Sequence, residues 1–224
     1  MSGVALAYEP YESGARREWV MRIGAREAAP VLFVPPLFEE MNRTRALIAA
    51  AMRRLAGHGL CGWLPDLEGT GESKAALAAA SWDEWRHDVA AAAAHVERAS
   101  GSAPLVASLR GGALIDDAAT GIGRWRLAPV AGRSLARDMV RAGLAGVEWA
   151  GYAPAAELRG RLEDAVPVDQ QPLRVVRLRS DAGDADDKID GPALWRRSEP
   201  GNSAELAEAI AGDIAQWRAK CAAS

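Results

Sequence analysis

Residues 31–42 read VLFVPPLFEEMN, and this stretch decides the architecture that we predict for the chain. The apolar run at 31–34 is stopped by Pro35 and Pro36, a pattern typical of a short strand that is buried on both faces. Apolar side chains then recur at three- and four-residue steps, which predicts a helix over about 42–57. A buried strand that leads directly into a helix is the repeating unit of a parallel sheet.

The same alternation of strand and helix continues on both sides of this unit. Ser81 and Glu84 form a capping box that begins the clearest helix, and a last helix begins at Asn202 or Ser203. Further strands are predicted at 18–23, 60–64, 104–108, 125–130 and 174–178, with 193–197 as one more candidate. We therefore predict an α/β fold in which a mainly parallel sheet carries helices on both faces, as one domain over residues 1–224.

Composition and charge exclude several classes of protein. The 224 residues are 49% hydrophobic, and the net charge of −3 is spread along the chain, so no basic face predicts nucleic-acid binding. Cys61 and Cys221 form neither a disulfide framework nor a metal spacing. No apolar run approaches the ~18–20 residues of a membrane span, and no signal-peptide pattern opens the chain. We expect a cytoplasmic protein with no cofactor and no metal, and the oligomeric state stays open.

Three turns follow predicted strands at the carboxyl edge of the sheet, where doubly wound folds place their ligand sites. They are residues 35–42, residues 66–73 with the sequence DLEGTGES, and residues 108–112 with the sequence SLRGG. The second turn lacks the third glycine and the helix register of a dinucleotide fingerprint, so it predicts no nucleotide site.

The third turn has the pattern of a nucleophile elbow, a strained strand-to-helix turn. Such a turn needs small residues two positions before and two after its exposed side chain. With Ser108 at the exposed position, the flanking residues are Val106 and Arg110, and both are too large. With Arg110 there, they are Ser108 and Gly112, and both fit. The spacing therefore places Arg110 at the position of the nucleophile, although a guanidinium stays protonated and cannot attack a carbonyl.

The order of these motifs resembles the α/β-hydrolase superfamily, most closely over residues 18–130. The sequences of these motifs are similar to those of one branch of the superfamily, the second type of hydrolase associated with exosortase A systems. That branch shows a PPF-x-EEMN-like segment, a DL-x-G-x-G-[DE]-S-like turn and an arginine at the elbow, which PPLFEEMNRTR, DLEGTGES and SLRGG match here. The resemblance implies a three-layer α/β-hydrolase fold. The least regular stretch, 131–170, takes the place of the lid, so we expect the lid to be reduced or absent.

The resemblance also assigns roles to particular residues. The backbone N–H groups of Leu37 and Gly111 would correspond to the oxyanion hole. Asp181 or Asp184, in an acidic loop after a late strand, would correspond to the triad acid. A solvated loop is the alternative interpretation, and a calcium site is disfavoured because the EF-hand glycine and glutamate are absent.

The catalytic base has no counterpart in the sequence. In the superfamily it follows the last strand, and residues 190–205 contain no histidine. The three histidines are His58, at the end of a predicted helix, and His87 and His95, on the helix that begins at Ser81. A relay needs its imidazole within hydrogen-bond reach of the nucleophile, so the sequence does not predict ordinary triad catalysis.

Glu39 and Glu40 lie where the oxyanion-hole loop would be. One interpretation is that a glutamate, more readily Glu40, pairs with Arg110 in the floor of a pocket. The other is that both glutamates only place negative charge at the start of a helix. The sequence leaves both interpretations open.

Two functions from different classes follow. In the first, the protein is a non-hydrolytic member of the superfamily that binds a small acidic or acyl ligand, or a protein partner of an exosortase system. In the second, it hydrolyses esters or acyl groups by a route without the usual triad. By resemblance, the setting is exopolysaccharide export and exosortase-dependent protein sorting in a Gram-negative bacterium.

Overall fold

A computed structural model describes residues 5–142, 149 and 152–223 of the chain. Its centre is one eight-stranded sheet with the strand order β1-β2-β4-β3-β5-β6-β7-β8. The strands are β1 (Leu6–Ser13), β2 (Arg16–Ile23), β3 (Ala29–Val34), β4 (Leu60–Pro65), β5 (Leu105–Leu109), β6 (Gly123–Leu127), β7 (Leu173–Leu178) and β8 (Asp187–Ile189).

The sheet is parallel from β4 to β8 and antiparallel at its other end. Strand β1 pairs with β2, and β2 with β4, in antiparallel register, whereas β3 pairs in parallel with both β4 and β5. The pairing of β5 with β6, β6 with β7 and β7 with β8 is also parallel. Strands β4, β5 and β6 are buried along their whole length, as expected for strands covered on both faces.

Helices cover both faces of the sheet and give three layers. The helices are α1 (Glu39–Gly57), α2 (Trp82–Ser100), α3 (Gly132–Ala142), α4 (Ala156–Asp164) and α5 (Ala204–Ala222). One apolar core lies between the sheet and α2, α3 and α4, and the other lies between the sheet and α1 and α5. In the part of the chain that the structure describes, no helix is long and apolar enough to cross a membrane.

The predicted helix starts agree closely with the structure. Ser81 caps α2, and its side chain accepts a hydrogen bond from the backbone N–H of Glu84 at 3.1 Å. Gly101 ends the same helix with a φ of 79°, which a residue with a Cβ adopts only with strain. Ser203 caps α5 in the same way. Helix α1 begins at Glu39, earlier than predicted. It starts directly after Phe38, whose φ of 56° lies outside the helical region, so the two glutamates belong to the first turn.

Three parts of the sequence prediction were wrong. Residues 193–197 form no strand; a single 3-10 turn lies at Leu194–Arg196 instead. Strands β1 and β8 were missed, because β1 is half exposed at the edge of the sheet and β8 is a three-residue strand in an acidic loop. The described part of the stretch 131–170, which showed no clear pattern in the sequence, contains the two short helices α3 and α4. The prediction of a reduced lid agrees with these two short helices.

Candidate functional site

The turn after β5 has the geometry of a nucleophile elbow, with Arg110 at its tip. Arg110 has a φ of 51°, a conformation that costs a non-glycine residue about 1–3 kcal/mol. A Cβ added at Gly112 would lie 2.6 Å from the carbonyl oxygen of Val34 and 2.7 Å from that of Pro35. The small residue two positions after Arg110 is therefore required by close approach of β3, which is the reason the sequence favoured Arg110 over Ser108.

Ser108 is part of a buried hydrogen-bond network. Its hydroxyl is fully buried and donates a hydrogen bond of 2.7 Å to Oδ2 of Asp116. The guanidinium of Arg126 donates to both oxygens of the same carboxylate, at 2.8 and 2.7 Å. Burial raises the pKa of Asp116, while Arg126 and Ser108 act to lower it. This buried network fixes the end of β5 directly before the elbow and leaves Ser108 without access to a substrate.

Arg110 is held by a buried ion pair with Glu40. Its Nε and Nη2 atoms both lie 2.9 Å from Oε1 of Glu40, and the residue is 7% exposed. On the other side, Nη2 lies 3.3 Å from Oδ2 of Asp138 on α3. The guanidinium also lies over the indole ring of Trp195, 5.3 Å from the ring centroid. The predicted burial of Arg110 and its pairing with Glu40 are confirmed.

The carboxylate of Glu40 depends on Arg110 for its charge. Burial raises the pKa of Glu40, and the charge and hydrogen bond of Arg110 are the largest causes that lower it. Asp138 raises the same pKa, because a second carboxylate lies close by. The second oxygen, Oε2, is buried and has no hydrogen-bond partner among the residues that the structure describes.

Glu39 has a different role from Glu40. Its carboxylate faces the surface, where it accepts a hydrogen bond of 3.1 Å from the side chain of Asn42 and lies 3.4 Å from Arg43. The hydroxyl of Tyr152 lies 3.4 Å from the same carboxylate. Each interpretation of the two glutamates therefore holds for one of them. Glu40 pairs with Arg110, and Glu39 provides negative charge at the first turn of α1.

The structure brings Leu37 and Gly111 together, as the superfamily layout requires. Both are buried, and a Cβ added at Gly111 would lie 3.4 Å from Cγ of Leu37. The N–H of Gly111 lowers the pKa of Glu40, so this donor already faces a negative charge of the protein itself. The role of the two backbone groups as an oxyanion hole stays a prediction.

Asp181 and Asp184 lie in the loop between β7 and β8. Asp181 is nearly buried and forms an ion pair of 3.2 Å with Arg196. Asp184 is exposed, and its backbone oxygen accepts a hydrogen bond from Arg177. Through Arg196, which lines a cavity together with Glu40, Asp181 is linked to the wall of that cavity. The described residues contain no cluster of three or more acidic, His or Cys residues arranged to hold a metal ion.

A cavity of about 440 Å³ lies beside the elbow at the carboxyl edge of the sheet. Three of its wall residues are arginines and three are acidic, and the remainder are apolar. The lining residues are Glu39, Glu40, Arg43, Leu135, Asp138, Met139, Arg141, Trp195 and Arg196.

Sequence reasoning missed most of this wall. Asp138 and Arg141 lie on α3, inside the stretch that showed no clear pattern, and Arg196 lies where a strand was proposed. The signal for α3 was present as Leu135, Ala136 and Met139, three buried positions at helical spacing. The abundance of arginine and alanine around them obscured it.

None of the three histidines lines the cavity. His58 follows the end of α1, and His87 lies next to Gly14 on the face of α2 that meets β1. His95 packs against the rings of Tyr11 and Trp63, and burial lowers its pKa. The prediction that no histidine stands near the elbow agrees with these positions.

Comparisons with known proteins agree on the fold. No protein-family model matches the sequence, and no curated protein matches it either. Among solved structures, the chain is similar to Est1E from Butyrivibrio proteoclasticus with bound ferulic acid, with a TM-score of 0.65 and 11% identity over 96% of this chain and 100% of that chain. A malate-bound thermophilic esterase from Thermogutta terrifontis gives a TM-score of 0.58 and 16% identity over 97% and 99% of the two chains.

A third neighbour bears on the lid. XC6422 from Xanthomonas campestris is described as an α/β serine hydrolase without a lid, and it gives a TM-score of 0.56 and 14% identity over 95% of this chain and 94% of that chain. An epoxide hydrolase from Vigna radiata gives a TM-score of 0.43, and the match covers 55% of this chain and 40% of that chain. The strand order and the first three neighbours show an α/β-hydrolase fold with a reduced lid. At such low identities they show the fold alone.

Proposed function

We propose that this protein is a non-hydrolytic member of the α/β-hydrolase fold that uses the cavity beside the elbow to bind a small molecule. The observation that carries the proposal is the buried Arg110–Glu40 pair at the nucleophile position. A guanidinium is no nucleophile, and it is stabilised here in its charged form by a carboxylate and by the face of Trp195. The site is therefore built to hold a positive charge, not to release a proton.

Three further features support a binding role. Ser108 is sequestered by Asp116, no histidine borders the cavity, and Arg196 pairs with the carboxylate of Asp181, one of the two residues that the resemblance offers as the triad acid. Every part of an ordinary serine relay is thus replaced or occupied. The cavity itself is retained, with an apolar wall and several guanidinium groups, and this suits a small acidic or acyl ligand.

The proposal also includes the cellular system in which the protein works. The segments PPLFEEMNRTR, DLEGTGES and SLRGG resemble the second type of hydrolase associated with exosortase A systems. We infer a cytoplasmic accessory role in such a system, with a protein partner of that system as a second class of ligand.

The alternative is an ester or acyl hydrolase that works without the usual triad. One observation favours it: burial raises the pKa of Glu40, and a carboxyl group with a raised pKa is a candidate general acid or base. Such an enzyme needs Arg110 and Glu40 for turnover, so loss of activity in either variant distinguishes it from the binding protein.

The Arg110→Ser variant tests whether a hydroxyl at the elbow is enough to restore esterase activity. The substitution supplies a hydroxyl at the elbow but no base to deprotonate it, and triad members act as a unit, so we expect no esterase activity. The measurement is intact mass after incubation with a serine-directed phosphonate and with p-nitrophenyl acetate. A stoichiometric acyl or phosphonyl adduct on residue 110 would show that a base had been overlooked, and Arg110→Ala provides the matched control without a hydroxyl.

A further inference from the structure

Asp138 occupies the place that a bound carboxylate would take. Its Oδ2 lies 3.3 Å from Nη2 of Arg110, and its Oδ1 lies 3.8 Å from Nη1 of Arg141. The carboxylate of Asp138 therefore lies between two guanidinium groups at the cavity wall, and a guanidinium is a natural partner for a carboxylate ligand.

The two carboxylates on Arg110 are held very differently. Glu40 is buried and makes two contacts of 2.9 Å, whereas the side chain of Asp138 is 49% exposed and makes only the longer contacts. A half-exposed ion pair is weak, because water competes for both charges. Glu40 is thus the fixed partner of Arg110, and Asp138 is a partner that can leave at small cost.

We propose that a small carboxylate with an apolar body binds in this cavity by displacing Asp138 from Arg110 and Arg141. The proposal rests on the binding role proposed above and names its ligand class. Asp138 then acts as an internal competitor that keeps the affinity of the site low. The ligand replaces one carboxylate by another, so no buried charge is left without a partner.

The rest of the wall fits a ligand of this class. Leu135 and Met139 lie on the same helix as Asp138, one turn apart, and form part of the apolar wall, with both side chains almost fully buried. Trp195 adds an indole face, and its buried Nε1 has no hydrogen-bond acceptor among the described residues. A carboxylate has two oxygens with about four acceptor sites, so it can accept hydrogen bonds from more than one donor group of the wall.

The test measures the affinity of the full chain for hexanoate by isothermal titration calorimetry. The Asp138→Ala variant removes the competitor, and alanine is well tolerated in an exposed helix. We expect it to bind hexanoate about two- to fivefold more tightly than the unmodified protein, which is the scale on which a half-exposed ion pair competes. The Asp138→Ala/Arg141→Gln variant should lose most of this gain, and hexylammonium, which lacks the carboxylate, should bind neither protein.

Asp164→Ala is the matched control. It removes one carboxylate from α4, where Asp164 is exposed and lies 4.0 Å from Arg133, and it changes the net charge by the same amount. Equal affinities for hexanoate in Asp138→Ala and Asp164→Ala would overturn the proposal, as would a gain that inorganic phosphate shows and hexanoate does not. Neither result touches the absence of hydrolysis, which ester turnover measures separately.

Discussion

The Arg110→Met variant is expected to lose about 3–5 kcal/mol of stability at neutral pH, because it leaves the buried carboxylate of Glu40 without a partner. Arg110 is the largest cause that lowers the pKa of Glu40, so its removal raises that pKa further. A raised carboxyl pKa means that the folded state holds the proton more tightly than the unfolded chain. The loss of stability should therefore be small below the ordinary pKa of a glutamate and should grow as the pH rises through and above it.

The double variant Arg110→Met/Glu40→Gln is the control for this prediction. It leaves no buried charge, and replacing both members of a buried pair costs far less than replacing one. We expect it to recover most of the stability lost by Arg110→Met and to lose the pH dependence. Urea unfolding of both variants at pH 5 and pH 8 measures this. An Arg110→Met protein as stable as the unmodified chain at pH 8 would contradict the buried pair.

Asp116→Ala should destabilise the fold by a similar amount, about 3–5 kcal/mol, since it strips the buried guanidinium of Arg126 of a bidentate partner. The same change leaves the buried hydroxyl of Ser108 without its acceptor. Arg126 is 1% exposed, so water cannot replace the lost carboxylate. Because this network anchors the end of β5, its loss should also loosen the elbow.

Asp169→Ala separates the buried part of that network from its exposed part. Asp169 contacts the same guanidinium at 3.1 Å, but its side chain is largely exposed. We expect its replacement to cost less than about 1 kcal/mol. Chemical denaturation of the two variants gives the comparison, and equal losses would show that Asp116 has no special role.

Much of the fold was predictable because its signals are local. The apolar runs at β3, β4 and β5, the capping serines of α2 and α5, and the prolines after β3 each act within a few residues. Strand β1 was missed because its sequence, LAYEPYES, places polar and apolar residues on both faces, although its burial alternates. Helix α3 was missed because its apolar stripe is short. Both elements are set by tertiary contact more than by their own sequence.

The sequence predicted the Arg110–Glu40 pair of the candidate site but not the cavity wall opposite it. The small-residue rule placed Arg110 at the elbow, and the need for a carboxylate beside a buried guanidinium pointed to Glu40. Asp138, Arg141 and Trp195 come from segments distant along the chain, and no spacing in the sequence relates them to residue 110. Their convergence depends on how α3 and the turn at Leu194–Arg196 pack over the sheet.

The elbow of this α/β-hydrolase fold holds an ion pair, and we propose that it performs no hydrolysis. The most direct measurement is steady-state turnover of short p-nitrophenyl esters by the purified protein, run beside Arg110→Ala and Glu40→Ala. We expect all three proteins to show the same rate, equal to that of buffer alone. Turnover by the unmodified chain that either substitution abolishes would contradict the claim and would establish a hydrolase that works through Arg110 and Glu40.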